Sequence, residues 1–268
     1  MRNFQATRDK AVAIARRAGE IVREGWGNAG EIGYKGEVDL VTEHDEQAEK
    51  EIVRALQQAF PDHAIHAEEE GIIENDNAAE SPFTWVIDPI DGTTNFAHAF
   101  PVFAVSLALL RDDRPVVGVI YDPLRDECFA AIRDQGAELN GSRIHVSDTQ
   151  ELDTALLATG FPYDRRTRPD NNVGHLSHFI RRCQGLRRAG SASLDLSYVA
   201  CGRLDGFWEK LLHPWDVAAG VLVVEEAGGR LSDFSGGADY LSGEEIVASN
   251  GLIHTEMLDV LQLGDVLE

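Results

Sequence analysis

Between residues 64 and 132 the chain carries five short apolar runs, AIHA, TWVID, FAVSLALL, PVVGVIYD and ECFAAI, and this block limits the possible folds more than any other feature. Each run has the length of a strand, and the last two are joined by the turn-prone DPLRD, so the block predicts a largely antiparallel sheet. A different period precedes it. Ala11, Ile14, Ala15, Ala18, Ile21, Val22 and Gly25 recur at three- and four-residue spacing, which predicts an amphipathic helix over residues 4 to 25. Thr42, with Asp45 three residues on, can cap a second helix whose buried face holds Ala48, Ile52, Ala55, Leu56 and Ala59. The glycine-rich stretch from 27 to 39 between them predicts a mobile loop.

Beyond the sheet block the pattern alternates. Strand-like ALLATG (155 to 160), a polar helix near 170 to 183, a helix from about Ala192 to Ala200, GFWE, a helix from Pro214 to about Ala227 and strand-like EIVASN suggest a second layered α/β system. The boundary falls between 140 and 155, at Asn140-Gly141 and DTQELD, dividing the chain into halves 1–145 and 146–268. No Pro/Ser-rich spacer separates the halves, which makes the boundary a seam within one compact unit.

Charge restricts what such a unit can bind. Asp and Glu outnumber Lys and Arg by 46 to 24, a net charge of -22 that repels nucleic acid and acidic membranes, so neither is an expected partner. A phosphorylated substrate is repelled too unless cations reverse the local sign, so phosphate chemistry here requires bound metal. The three cysteines are far apart and odd in number, which fits neither a disulfide framework nor a zinc cage. No run approaches the roughly 18 apolar residues of a membrane span, and charges interrupt the N-terminal segment, so a cytoplasmic location is expected.

The chemistry concentrates in WVIDPIDGTTNF (85 to 96). An apolar strand ends in Asp88, a proline follows, and Asp91-Gly92-Thr93-Thr94 comes next. Two readings are open. Asp, Pro and Gly are ordinary turn formers; alternatively both carboxylates enter one cavity, Asp88 bridging two hard cations and Asp91 binding one, while Gly92 and the threonines offer N–H groups to a phosphate. Glu68, Glu69 and Glu70 crowd the end of AIHA, either as a solvated surface or around a cation. Asp216 in HPWDVAAG starts a helix, where capping alone would explain it. The histidines form no H-E-x-x-H pattern, and His63 and His66 are expected to be packing or surface residues.

Taken together these segments resemble the inositol monophosphatase family, within the lithium-sensitive and fructose-bisphosphatase-like phosphatases. The resemblance rests on VDLVTEHD (38 to 45), AEEEG (67 to 71), WVIDPIDGTTNF, GSASLDLSYVACGRLDGFWE (190 to 209) and PWDVAAG (214 to 220), in the family's order and spacing. It implies an α+β fold, a layered αβαβα sandwich, with two to three Mg²⁺ ions per site. Glu68, Asp88 and the carbonyl of Ile90 would hold the first ion; Asp88, Asp91 and Asp216 would hold the second; a looser third would sit near Glu68. Thr93 and Asp45 would polarise the attacking water, Glu69 would support the neighbouring ligand, and Lys35 would approach from the glycine-rich loop. Gly190, Ser191, Ala192 and Glu209 would face the substrate ring, with Asp91, Gly92 and Thr93 also touching substrate. Ala67 and Glu70 depart from the family pattern without removing a ligand.

The implied activity is hydrolysis of inositol 1-phosphate or a similar phosphorylated polyol or sugar, by a homodimer. Fructose 1,6-bisphosphate, a nucleotide 3′-phosphate, histidinol phosphate and NADP⁺ are alternative substrates for the same chemistry, although GTTNF and the GSA/Glu209 pair favour inositol or a sugar. A non-catalytic protein-binding role is a further alternative. Ion buffering is disfavoured, because the acids lie on separate segments with no EF-hand loop.

Overall fold

A computed structural model describes residues 4–27, 32–34, 40–73 and 81–265. The first layer is a helix pair, α1 (Gln5–Gly25) and α2 (Glu43–Ala59). Both are amphipathic and bury the faces expected of them. Between them, short strands β1 (Ile32–Tyr34) and β2 (Leu40–Thr42) pair antiparallel, so part of the expected loop is strand; residues 28–31 and 35–39, including Lys35, lie outside the described residues.

The second layer is an eight-stranded sheet. Its strands are β3 (Ala64–Ala67), β4 (Gly71–Ile73), β5 (Phe83–Asp91), β6 (Ala104–Arg111), β7 (Arg114–Asp122), β8 (Glu127–Ile132), β9 (Gly136–Leu139) and β10 (Ser142–Arg143), in the order β10-β9-β8-β7-β6-β5-β3-β4. Pairing is antiparallel except between β3 and β5. The central strands are buried along almost their whole length rather than alternately, because helices cover both faces.

After α3 (Thr93–Ala97), the second sheet is built from β11 (Leu156–Thr159), β12 (Gly185–Arg187), β13 (Gly206–Lys210), β14 (Arg230–Ser232) and β15 (Glu245–Ser249), in the order β12-β11-β13-β15-β14. Helices α5 (Ala192–Ala200) and α6 (Pro214–Glu226) fill the space between the two sheets, while α4 (Val173–Phe179) and α7 (His254–Leu261) cover the far side. This is the five-layer αβαβα order. Position explains composition: α6 touches sheet on both sides, and Val217 through Val224 are all buried, whereas α1 and α2 keep a polar face. Packing there is close enough that a Cβ on Gly118 of β7 would stand 2.8 Å from the Ala219 carbonyl oxygen. One apolar cluster runs from Val86, Ala108 and Ile120 of the first sheet through Leu222 to Phe207 and Ala248 of the second. Among the described residues no helix is long and apolar enough to cross a membrane.

Two expectations need correction. The helix near 170 to 183 is only α4, because the Gln184 and Gly185 N–H groups donate to the Ala155 carbonyl and draw the chain into β12. The strand expected to end at Asp88 continues to Asp91, with a register shift between those two residues against β6.

Candidate active site

The register shift on β5 builds the centre of the site. Pro89 has no N–H to give a ladder, and the Ile90 N–H bonds the Asp88 Oδ1 at 2.9 Å instead of a neighbouring strand. The bulge lets residues three apart turn their carboxylates to one side. Asp216 reaches the same point from the start of α6. Its Oδ2 accepts the His213 N–H at 2.7 Å in a capping box with Pro214 at the first helical position, so the capping reading of this residue is correct as far as it goes. The Asp216 carboxylate also joins Asp88 and Asp91, and ligand oxygens from the three lie within 4.8 Å of one another. Glu68, just after β3, hydrogen-bonds Asp88.

Such crowding is costly. Burial, followed by the charges of Glu68, Asp91 and Asp216, pushes the Asp88 carboxyl well above the usual carboxylate range. Burial, then the Asp91 charge, does the same to Asp216. Burial raises Asp91 as well, against hydrogen bonds that favour its ionised form. Four carboxylates drawn together with no cationic side chain against them among the described residues form a hard-oxygen donor set, and a divalent cation is what would let them ionise together. The residues therefore fit a metal such as Mg²⁺.

Beside the cluster, Thr93 is the first residue of α3, and Gly92 before it has φ 103°. Only glycine suits this position, since a Cβ would also meet the carbonyl oxygens of Val102 at 3.0 Å and Gly190 at 3.1 Å. The Thr93 hydroxyl is within hydrogen-bond reach of Asp45 Oδ1 (2.9 Å) and the Ile90 carbonyl (3.0 Å). Asp45 is fully buried on α2 and uses its other oxygen for the Thr42 N–H at 2.8 Å. One turn further along α2, Glu49 is 1% exposed and accepts the Glu69 and Glu70 N–H groups at 2.9 and 2.8 Å. Glu49 thus fixes the turn that presents Glu68. Sequence reasoning missed it, although Asp45 and Glu49, four apart beside an apolar face, were a visible signal.

The second half of the chain closes the site. Asp91 accepts the Ser191 hydroxyl at 2.6 Å and the Ala192 and Ser193 N–H groups at 3.3 and 2.7 Å, at the start of α5. Ser191 and Ala192, expected beside the substrate ring, hold the Asp91 carboxylate in position here, and Ser193 is a partner the sequence reading did not name. Opposite, Glu209 near the end of β13 is buried, and burial pushes its carboxyl up to about 8. Neighbours not singled out from sequence fix the chain on either side of it. Asn172 accepts the Trp208 indole N–H at 2.9 Å and donates to the Thr159 hydroxyl and the Gly160 carbonyl at 2.9 and 2.7 Å. Gly160 has no side chain because Glu209 occupies that space: a Cβ would lie 1.9 Å from Oε1. His63 and His66 are packing residues, His63 accepting the Trp85 indole N–H and His66 lying edge-on to Trp215.

Glu68, Asp91, Asp216, Gly190, Asp195 and Glu209 line one cavity of about 220 Å³. Acids that fit a metal stand against a pocket sized for a small molecule, closed by residues from both sheets. Residues 4–263 match the inositol monophosphatase family model. The chain belongs to the inositol monophosphatase family. It is 49% identical to an inositol-1-monophosphatase of Synechocystis, over 88% of this chain and 82% of that protein. It is 44% identical to the Nus factor SuhB of Escherichia coli, over 96% of this chain and 97% of that protein. The solved inositol monophosphatase of Anabaena has 42% identity and a TM-score of 0.88, covering 98% of this chain and 97% of that one. As a member of the inositol monophosphatase family this chain is a phosphoric monoester hydrolase.

Proposed function

We propose that this protein hydrolyses inositol 1-phosphate to inositol and phosphate with Mg²⁺ as cofactor. The observation that carries the reading is the convergence of Asp88, Asp91 and Asp216 within 4.8 Å, beside a cavity whose other side carries Glu209. Glu68, Asp88 and the Ile90 carbonyl would hold one ion, Asp88, Asp91 and Asp216 a second, and Glu68 would serve a looser third. When bound, Mg²⁺ neutralises phosphoryl oxygens, lowers the pKa of water and stabilises the leaving alkoxide. The protein supplies the rest. With its proton directed to Asp45 Oδ1 or the Ile90 carbonyl, the Thr93 oxygen has lone pairs to accept from a water, which aims that water at phosphorus. Glu69 steadies the Glu68 turn through its N–H bond to Glu49. Gly92 and Thr93 offer N–H groups to the phosphate, and Gly190, Ser191, Ala192 and Glu209 face the ring, Glu209 accepting from its hydroxyls. Lys35 closing over the site from the glycine-rich segment, the two halves 1–145 and 146–268 acting as one catalytic unit, and a homodimeric state belong to the same proposal.

Purified enzyme given inositol 1-phosphate, fructose 1,6-bisphosphate, adenosine 3′,5′-bisphosphate, histidinol phosphate and NADP⁺, with and without Mg²⁺, tests it. Fastest turnover of inositol 1-phosphate, and only with Mg²⁺, is expected. Faster turnover of the nucleotide would overturn the substrate, and metal-independent turnover would overturn the mechanism. A protein-binding role is a second reading, favoured by the likeness to a protein named as a Nus factor. A pull-down with Asp91→Asn separates the two, because a binding role survives the loss of catalysis.

A further inference from the structure

Asp195 stands in the first turn of α5, is 2% exposed and lines the active-site cavity. Its Oδ1 has no hydrogen-bond partner. The residue does not cap its helix: the α5 N–H groups of Ala192 and Ser193 go to Asp91, and no donor is directed to the Asp195 carboxyl among the described residues. An unpaired carboxylate oxygen in a protein interior is expensive to keep, so the energetic question is what pairs with it when the enzyme is working. Burial first, and then the charges of Glu209 and Asp91, hold this carboxyl well above the usual carboxylate range, while the Arg188 guanidinium, also on the cavity wall, partly opposes them. Glu209 is thus close enough to sense Asp195, and the two approach the cavity from different elements, one near the end of β13 and the other from α5.

We propose that Asp195 is a second reader of substrate hydroxyls, so that Asp195 and Glu209 together select a polyol phosphate with two neighbouring free hydroxyls. This rests on the hydrolase reading above and adds a specificity determinant to it. The chemistry is direct. Oδ1 is enclosed as it stands, so a small turn of the Asp195 side chain brings it to the cavity, where a ring hydroxyl donating to it supplies the missing partner; a phosphate ester without that hydroxyl leaves the oxygen unpaired. Sites built to bond a hydroxyl reject analogues that lack it far more strongly than apolar pockets reject a missing methylene. Because Asp195 reaches the ring and not the phosphorus, its contribution is made to the bound substrate and the transition state alike and appears in KM.

The test compares wild type, Asp195→Ala and the isosteric Asp195→Asn, each with saturating Mg²⁺, on inositol 1-phosphate and on p-nitrophenyl phosphate, which has no hydroxyl to read. Asp195→Ala is expected to raise KM for inositol 1-phosphate about tenfold, the loss of one substrate hydrogen bond, with kcat nearly unchanged. Asp195→Asn keeps a carbonyl acceptor and should restore part of that loss. Neither variant should alter KM for p-nitrophenyl phosphate. Equal losses on both substrates would mean that Asp195 only supports the fold, and wild-type values on both would mean that it touches no substrate; either overturns the proposal. If Asp195→Ala fails to fold, Asp195→Asn alone decides between these outcomes. If wild type prefers fructose 1,6-bisphosphate, the inositol reading fails while the same selective loss on that sugar upholds Asp195. Turnover of p-nitrophenyl phosphate and of no polyol phosphate overturns both.

Discussion

The Thr93 hydroxyl lies 2.9 Å from Asp45 Oδ1, joining residues 48 apart in sequence at the edge of the carboxylate cluster. Asp45 is buried and its second oxygen is committed to the Thr42 N–H, so the carboxylate is fixed from both ends and gives the hydroxyl a defined direction. Thr93→Ala should therefore lower kcat by about 10²-fold or more, the scale of a lost acid–base or water-orienting group. Mg²⁺ affinity, measured by calorimetry, should be close to wild type. A variant with normal kcat would show that the hydroxyl is structural.

Asp88 is the most crowded acid of the cluster, and its charge is costly until a cation offsets it. Asp88→Asn should raise the stability of the metal-free protein by roughly 1–2 kcal/mol, the gain seen when a strained functional group is relieved. The same change should abolish activity and remove the increase in Tm that Mg²⁺ gives wild type. Thermal melts in chelator and in Mg²⁺ measure both effects.

Glu209 sets a pH dependence of known sign. Its carboxyl is raised from 4.5 to about 8, so the folded state keeps a proton that the unfolded chain releases. The stabilising contribution of that proton is full below pH 4.5 and is lost as pH rises to 8. In metal-free buffer the Tm of wild type should fall relative to Glu209→Gln across this window and run parallel to it above. A constant gap from pH 5 to pH 9 would show that Glu209 ionises normally.

Gly160 leaves room for the Glu209 carboxylate, and the added Cβ of Gly160→Ala would coincide with it. The substitution should displace Glu209 and raise KM for a polyol phosphate about tenfold, as losing one substrate hydrogen bond would. Activity on p-nitrophenyl phosphate reports whether the metal cluster is intact.

Long elements were legible in the sequence. Helices α1 and α2 repeat their period often enough to be read directly, α5 and α6 stand out only as small-residue-rich apolar segments of helix length, and the apolar runs of β6, β7 and β8 announce a covered sheet. Strands β9, β10, β12 and β14, two to four residues long, hold no period and form because a neighbour offers an edge. Pro89 suggested the end of β5, yet a bulge accommodates a residue without an N–H, and only pairing with β6 carries the strand on to Asp91. Within the site, the acids were visible because each breaks a local pattern. The roles of Glu49, Ser193, Asn172 and Gly160 were not, although the Asp45–Glu49 spacing hinted at the first, since they lie in contacts with distant chain: a turn after β3, a carboxylate on β5, an indole on β13 and the space that Glu209 fills.

Helix α6 carries Asp216 at its start and then lies between both sheets. During synthesis, the acids on β5 therefore leave the ribosome well before the residue that completes their cluster and before the helix that covers their sheet. A nascent chain holding only the first 145 residues has one sheet face bare and an incomplete set of acids, which makes it sticky and catalytically silent. Separately expressed pieces 1–145 and 146–268 should share that fate, and activity should return only when the two are produced together. Hydrolysis is therefore expected only once the middle layer, with Asp216 at the start of α6, has docked.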